Sequence, residues 1–353
     1  MDATAGANPE LEPERIHQAA PDAGTGAAGQ VVASAALPPQ WREGVLRVLA
    51  AAAAEDGREA VSEQGRLRLR TPGEVRPGVT HLVQFQERAA EQAGAATEVG
   101  YAQLETGAAE LVVAPEFRRS GHGRQLIEAV LAEAARPGPA ESAETNGTVD
   151  FWAHGGHPAA RHLAERYGAE LVRELRQMRR TGPAPEQAPL PEGVTLRTFR
   201  PGEDDEAWLR LNALAFAHHP EQGSWTGQDL ADRLAEPWFD PNGFFLAVRG
   251  ERLVGFHWTK VHPVSAAEPE LGEVYVVGVD PAEQGGGLGR ALTAAGLRHL
   301  DADRGLRTVL LYVDADNPAA VRVYERLGFT VHEVDLMYRV RSTGPWAARS
   351  TGT

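Results

Sequence analysis

The chain has 353 residues, enough for about two domains, and 42% of them are hydrophobic, so a sizeable core is available. Its net charge of −14, from 35 basic and 49 acidic residues, excludes nucleic acid as a main partner and is compatible with a cationic amine substrate. With 0 cysteines, no apolar run long enough to span a membrane and no signal-peptide pattern, it excludes disulfides and thiolate metal sites and fits a reducing cytoplasm with no metal and no membrane partner.

Residues 1–36, rich in Ala, Gly, Pro and Glu, form a disordered N-terminal extension, because they cannot bury enough surface to offset ordering entropy. Residues 41–54 predict a helix that buries Val45, Leu46, Val48 and Leu49 and stops at Asp56-Gly57. Residues 61–64 read as a loop leading to a second helix or extended segment. Strands follow at 80–86, 99–104 and 108–113, a helix at 125–135, a strand at 148–153, a helix at 157–167 and a strand at 171–179. Residues 181–193 carry 4 prolines and read as an interdomain linker. The pattern then begins again: a strand at 195–198, helices at 204–217 and 226–235, a hairpin of 244–249 and 252–262, a strand at 274–279, a helix from 288 to about 299, a strand at 308–314, a helix at 318–327 and a strand at 331–340. Residues 342–353 read as a disordered tail.

The stretch that carries most information is Glu273-Val-Tyr-Val-Val-Gly-Val-Asp-Pro-Ala-Glu-Gln-Gly-Gly-Gly-Leu-Gly-Arg290. A β-branched strand ends at Asp280-Pro281, and a glycine-rich turn then opens a helix. Bare backbone N–H groups at the positive end of a helix dipole suit a phosphate. Gly278 inside the strand suggests a bulge or close ligand approach. Glu273 starts the strand, and Tyr324 lies downstream within Asn317-Pro-Ala-Ala-Val-Arg-Val-Tyr-Glu-Arg-Leu-Gly-Phe329. Taken alone, Glu273 also reads as a solvated strand-end carboxylate and Tyr324 as a core tyrosine.

The two halves are copies. His157-Pro-Ala-Ala-Arg-His-Leu-Ala-Glu-Arg-Tyr-Gly168 aligns without a gap on residues 317–328, and Arg118-x-x-Gly121-x-Gly123 aligns on Gln284-x-x-Gly287-x-Gly289. The first copy has Gly107 where the second has Glu273, Ala164 where it has Tyr324 and His157 where it has Asn317. Two readings of the first copy stand: a catalytically silent domain that holds an anion, or a structural copy whose glycines serve the turn.

Gln284-x-x-Gly287-x-Gly289, with Glu273 before it and Tyr324 after it, resembles the acetyl-CoA site of the GNAT N-acetyltransferase superfamily. Gly255-Phe-His-Trp-Thr-Lys-Val-His-Pro263, His219-Pro-Glu-Gln-Gly-Ser-Trp225, Trp238-Phe-Asp-Pro241, Leu310-Leu-Tyr-Val313 and Phe151-Trp-Ala-His154 narrow the resemblance to the mycothiol synthase family, actinobacterial tandem-GNAT proteins. The resemblance implies an α/β fold of two tandem GNAT domains, each a mixed, mostly antiparallel central sheet flanked by helices. The domains fall at 37–180, catalytically silent and able to bind CoA, and at 194–341, catalytic.

The resemblance also implies acetyl transfer from acetyl-CoA to the cysteinyl amine of desacetylmycothiol, with Glu273 as base through a water and Tyr324 as acid. Glu63, Glu221, Lys260, Glu273 and Tyr312 would line the acceptor site. The catalytic CoA would meet Val277, Gly278, Val279, then Gln284, Gly285, Gly286, Gly287, Leu288, Gly289 and Arg290, then Asn317, Pro318, Ala319, Ala320, Val321 and Arg322. A second CoA would meet Leu111, Val112, Val113, Arg119, Ser120, Gly121, His122, Gly123 and Arg124. Gly285-Gly286 replaces the basic residues usual in this turn, so one or two phosphate contacts of the family are missing. A cytoplasmic monomer is expected, because the tandem repeat supplies internally the contact that single-domain relatives make by dimerising. The alternatives are a GNAT enzyme for another small amine or a protein N-terminus, and a non-enzymatic CoA-binding protein; the acid and tyrosine retained in the second copy weigh against the last.

Overall fold

A computed structural model of the chain describes residues 15–18, 29–70, 73–87, 96–136, 147–264 and 268–341. The first half runs β1 (Arg15–Gln18), β2 (Gln30–Ser34), α1 (Pro39–Asp56), α2 (Glu63–Leu67), β3 (Val79–Glu87), β4 (Ala96–Glu105), β5 (Ala108–Val113), α3 (His122–Ala134), β6 (Thr148–Ala153), α4 (Pro158–Tyr167) and β7 (Glu170–Thr181). The second runs β8 (Val194–Thr198), α5 (Asp205–Ala215), α6 (Pro220–Gly223), α7 (Gly227–Leu234), β9 (Phe244–Arg249), β10 (Arg252–His262), β11 (Leu271–Val279), α8 (Leu288–Arg298), β12 (Thr308–Asp314), α9 (Pro318–Arg326) and β13 (Thr330–Arg341).

The chain forms two compact units, and each is closed by the last strand of the other half. Unit 1 contains residues up to Glu174 together with those from Asp335 onward; unit 2 is Leu175–Val334. The sheet order in unit 1 is β1-β2-β3-β4-β5-β6-β13, and in unit 2 it is β7-β12-β11-β10-β9-β8. Within each unit one pair is parallel, β5 with β6 and β11 with β12; the remaining pairs are antiparallel. This is the mixed, mostly antiparallel α/β architecture expected for a GNAT domain, present twice.

Helices pack on the sheets through their apolar faces. In unit 1, Leu126, Ile127, Val130 and Leu131 of α3 meet Leu82, Ala102 and Val149, while Val45, Val48 and Leu49 of α1 meet Val83, Tyr101 and Val112. In unit 2, Leu297 and Leu300 meet Val274, Val309 and Leu311 on one side of the sheet. Trp208 of α5 packs with Phe244, Phe256, Trp258 and Val276 in a separate cluster.

Three expectations are corrected. Residues 30–34 are a strand, not part of a disordered extension: Val31, Val32 and Ala33 are buried against β3, and a flanking Ala/Gly composition hid that short apolar segment. Leu46 is 36% exposed, because α1 turns Val45, Val48 and Leu49 inward and leaves the intervening position outside. The proline-rich segment lies within unit 2 and is tied down there. The Ala184 N–H donates to Asp301 (2.8 Å), and Leu190 packs beside Val194, Val254 and Leu288.

Candidate functional site

In unit 2, β11 pairs with β10 from Leu271 to Val279 but with β12 only at Gly272, Glu273 and Val274. Beyond Val274 the two parallel strands part, so among the described residues no strand covers that edge of residues 275–279. An edge of this kind leaves backbone N–H and C=O groups for a ligand. Asp280 ends the strand, its carboxylate accepting from the Ala282 N–H at 2.9 Å. Gly285 (φ 84°) and Gly287 (φ 86°) then adopt left-handed backbone, which a side chain would strain. Gly287 caps α8 without a side-chain bond, so the first-turn amides of Leu288, Gly289 and Arg290 face outward at the positive helix end. Residues 284–287 are exposed, while the Leu288 side chain is in the core and offers only its backbone.

Unit 1 repeats this geometry. β5 and β6 pair only at Ala108 and Ala109, and Gly121 (φ 87°) opens α3. Arg119 stands where the second copy has Gly285 and keeps the left-handed backbone at φ 64°, at a cost of about 1 kcal/mol. His122 is buried like Leu288, and burial lowers its pKa. Arg118 is bound within its own unit, donating two bonds of 2.7 Å to Asp56 and one of 3.1 Å to the Val113 carbonyl.

Glu273 is only 5% exposed and stands directly across from Lys260 in the β10–β11 ladder, so the two share a sheet face. His262 lies one diagonal step away, its Nε2 2.6 Å from Glu273 Oε2. The ladder slips between Trp258 and Thr259, which leaves Tyr275 as an extra residue on β11. Tyr275 and Val276 therefore both pack with the tryptophan cluster, while Val274 and Val277 pack on the opposite side. The bulge is at Tyr275; Gly278, where a bulge or a close ligand approach was expected, pairs in register with Phe256. A Cβ on Gly278 would lie 2.5 Å from the Phe256 ring.

The displaced Tyr275 builds a cradle. The Lys260 ammonium lies 4.6 Å from the Trp238 ring centroid and 4.9 Å from that of Tyr275, and cation–π attraction holds it in a nearly closed setting. Arg233 donates to the Tyr275 hydroxyl (2.8 Å) and lies 3.7 Å over Trp225. Arg233 belongs to α7, which is fixed by a reciprocal Thr226–Asp229 capping box. Among the described residues the first copy has no such bulge. β4 and β5 pair without a slip, and Gly107 (φ 86°) sits in their hairpin turn.

Tyr324 lies on α9, edge-on to Phe329 with centroids 5.9 Å apart. Burial pushes its phenol up to about 12, and among the described residues its hydroxyl makes no hydrogen bond. Asn317 caps α9, accepting from the Ala320 N–H at 3.1 Å; Pro318, Ala319 and Arg322 are exposed, whereas Val321 is in the core. Tyr312 on β12 is 43% exposed and accepts from Gln177 Nε2 at 2.8 Å. Glu221 is on α6, with its side chain outside the described residues. Glu63 opens α2 in unit 1, whereas the other acceptor candidates belong to unit 2. Its neighbour Ser62 is held by Glu110, through Ser62 N–H bonds of 3.0 and 3.1 Å and a hydroxyl bond of 3.1 Å.

Two residues escaped sequence reasoning. His262 is two positions from Lys260 on an alternating strand, so a shared face was readable, but its pairing with Glu273 needed the register. Tyr275 gave no signal, because an uninterrupted β-branched run reads as a regular strand. Among the described residues no cluster of His, Asp or Glu is arranged to hold a metal, and no helix is long and apolar enough to cross a membrane.

The Acetyltransferase (GNAT) family matches residues 208–329, the stretch that holds the buried Glu273, the splayed parallel pair and the glycine turn. A tandem GNAT protein from the clavulanic acid pathway shares the fold, with a TM-score of 0.63 at 19% identity over 90% of this chain and 99% of that one. The mycothiol acetyltransferase of Streptomyces coelicolor is 56% identical over 87% of this chain and 94% of its own length. That of Streptomyces scabiei is 59% identical over 86% and 92%. The chain belongs to the mycothiol acetyltransferase family. It is an acyltransferase, and enzymes of the GNAT class take acetyl-CoA as cosubstrate.

Proposed function

We propose that this protein acetylates the cysteinyl amine of desacetylmycothiol, a cysteine–glucosamine–inositol conjugate, to give mycothiol. The observation that carries the proposal is the buried Glu273 beside Lys260, on the strand that leads into the open glycine turn. The acceptor arrives as an ammonium and must lose a proton before it can attack. Glu273 takes that proton through a water. The amine then adds to the thioester carbon, and the oxyanion is met by a backbone N–H within residues 277–279. As the C–S bond breaks, the attacking nitrogen releases its second proton to solvent, and Tyr324 donates its own proton to the departing thiolate and later regains one from solvent. Because burial holds this phenol at about 12, it is protonated throughout the neutral range and available as an acid.

Lys260, Tyr312 and Glu221 supply a cation, a hydroxyl and a carboxylate for the sugar oxygens and the amine. The glycine turn at residues 284–290 and the start of α9 receive CoA. In unit 1 the turn at residues 119–124 holds a second CoA without chemistry, and the strained Arg119 adds a charge there.

The test is mass-spectrometric detection of mycothiol formed stoichiometrically with free CoA, against a panel of other amines. A faster panel amine, or an inert folded protein, would reject the acceptor. Equilibrium dialysis of acetyl-CoA should find two sites per chain; one site would assign the first turn to folding alone.

Trp238→Ala should raise the KM for the acceptor about tenfold and leave kcat within about threefold, because it loosens the Lys260 cradle without touching Glu273. An unchanged KM would remove Lys260 from acceptor binding.

A further inference from the structure

We propose that His262 is a positioning residue for the base: its Nε2 fixes the Glu273 carboxylate and dictates which of its oxygens takes the acceptor's proton. The inference rests on Glu273 serving as base. A carboxylate that is 5% exposed needs hydrogen-bond donors facing it. β10 offers two cationic or donor groups on the same face, Lys260 and His262. The Lys260 ammonium is turned to the Trp238 and Tyr275 rings, at 4.6 and 4.9 Å. His262 Nε2 lies 2.6 Å from Glu273 Oε2, the length of a charge-assisted bond.

The other strand flanking Glu273, β12, carries Tyr312 and Asp314; Tyr312 is bonded by Gln177, and Asp314 lies 3.4 Å from His219 Nδ1. From α7, Arg233 reaches the Tyr275 hydroxyl on the same strand as Glu273. With Oε2 committed to His262, Oε1 is the oxygen left to accept. The ammonium proton passes through the water to Oε1, giving a neutral amine and a neutral Glu273, while the Nε2–H bond of His262 stays intact. The carboxyl then loses that proton to solvent. His262 is suited to hold this post at the site's margin, because its side chain is 35% exposed while that of Glu273 is 7% exposed.

The experiment compares kcat/KM against pH for wild type, His262→Ala and His262→Gln, each alone and combined with Glu273→Gln. Removing the donor should move the acidic limb up by about one pH unit and lower kcat at neutral pH about tenfold, with the KM for acetyl-CoA unchanged. His262→Gln, which keeps an N–H donor, should recover most of both. In the Glu273→Gln background, His262→Ala should add nothing. A His262→Ala profile that superimposes on wild type overturns the proposal, and so does an equal loss in the Gln and Ala variants with the limb unmoved. A wild type inert on desacetylmycothiol is a different result: it rejects the acceptor, and the limb is then read on whichever panel amine is acetylated.

Discussion

Glu273→Gln should lower kcat by roughly 10²- to 10³-fold while the KM for acetyl-CoA stays within about twofold. Glutamine matches glutamate in shape, fits the same buried place across from Lys260 and can still accept from His262 Nε2, so the fold and the CoA turn are untouched. What it cannot do is take a proton from an ammonium. Tyr324→Phe should cost less, about tenfold or more, because the thiolate of CoA is a tolerable leaving group without assistance. The phenol makes no hydrogen bond among the described residues, so its removal leaves packing against Phe329 intact. Steady-state CoA release, with melting curves to show that each variant folds, decides the matter. If Glu273→Gln retains more than about a third of wild-type kcat, the base is another group.

The proposed site was readable in the sequence where it depends on residue type. A carboxylate is a residue type suited to a general base, and glycine adopts the left-handed turn at Gly285 and Gly287 without the strain that Arg119 carries in the first copy, so those positions stand out in a chain read one residue at a time. Cooperation between strands was not legible. The Glu273–His262 contact depends on register across a hairpin whose connection begins after His262 and ends before Leu271, and on a bulge that no residue announces. The fold shows the same division. The β9–β10 hairpin around Gly250-Glu251 was readable because turn and alternation are local. The exchange of β7 and β13 was not, because the closing strands of two copies of one domain carry similar patterns and either suits either sheet. Which sheet each joins is fixed by long-range contacts such as Met178 against Leu311 and Met337 against Trp152.

One such contact makes unit 1 dependent on the far end of the chain. His154 Nε2 is 2.9 Å from Glu110 Oε1 and its Nδ1 is 3.3 Å from Asp335 Oδ2; the other Asp335 oxygen accepts from the Gly155 N–H at 2.6 Å. Asp335 belongs to β13, so this node fastens the last strand to unit 1 and, through Glu110, holds Ser62 at the start of α2. Burial alone would lower the pKa of His154, but the bonds to Asp335 and Glu110 outweigh it and push the imidazole up to about 10. A pKa raised from 6.5 on folding gives stability that is complete below about pH 6.5 and fades as pH rises toward 10. Asp335 has the opposite sign. Burial raises its pKa and the His154 bond lowers it further, so its share is present above 3.8 and is lost in acid.

His154→Gln should therefore cost about 3 kcal/mol at pH 6, because two enclosed carboxylates are left without their cation. The melting point should fall by roughly 6–12 °C, and the decline in stability between pH 6.5 and 10 should flatten. Adding Glu110→Gln and Asp335→Asn to that variant should recover part of the loss, since the repulsion is then gone while the shapes remain. Calorimetry across pH gives the answer. A His154→Gln melting point within about 2 °C of wild type, with the pH slope unchanged, would mean that β13 is held to unit 1 by its ladder with β6 and not by this buried charge.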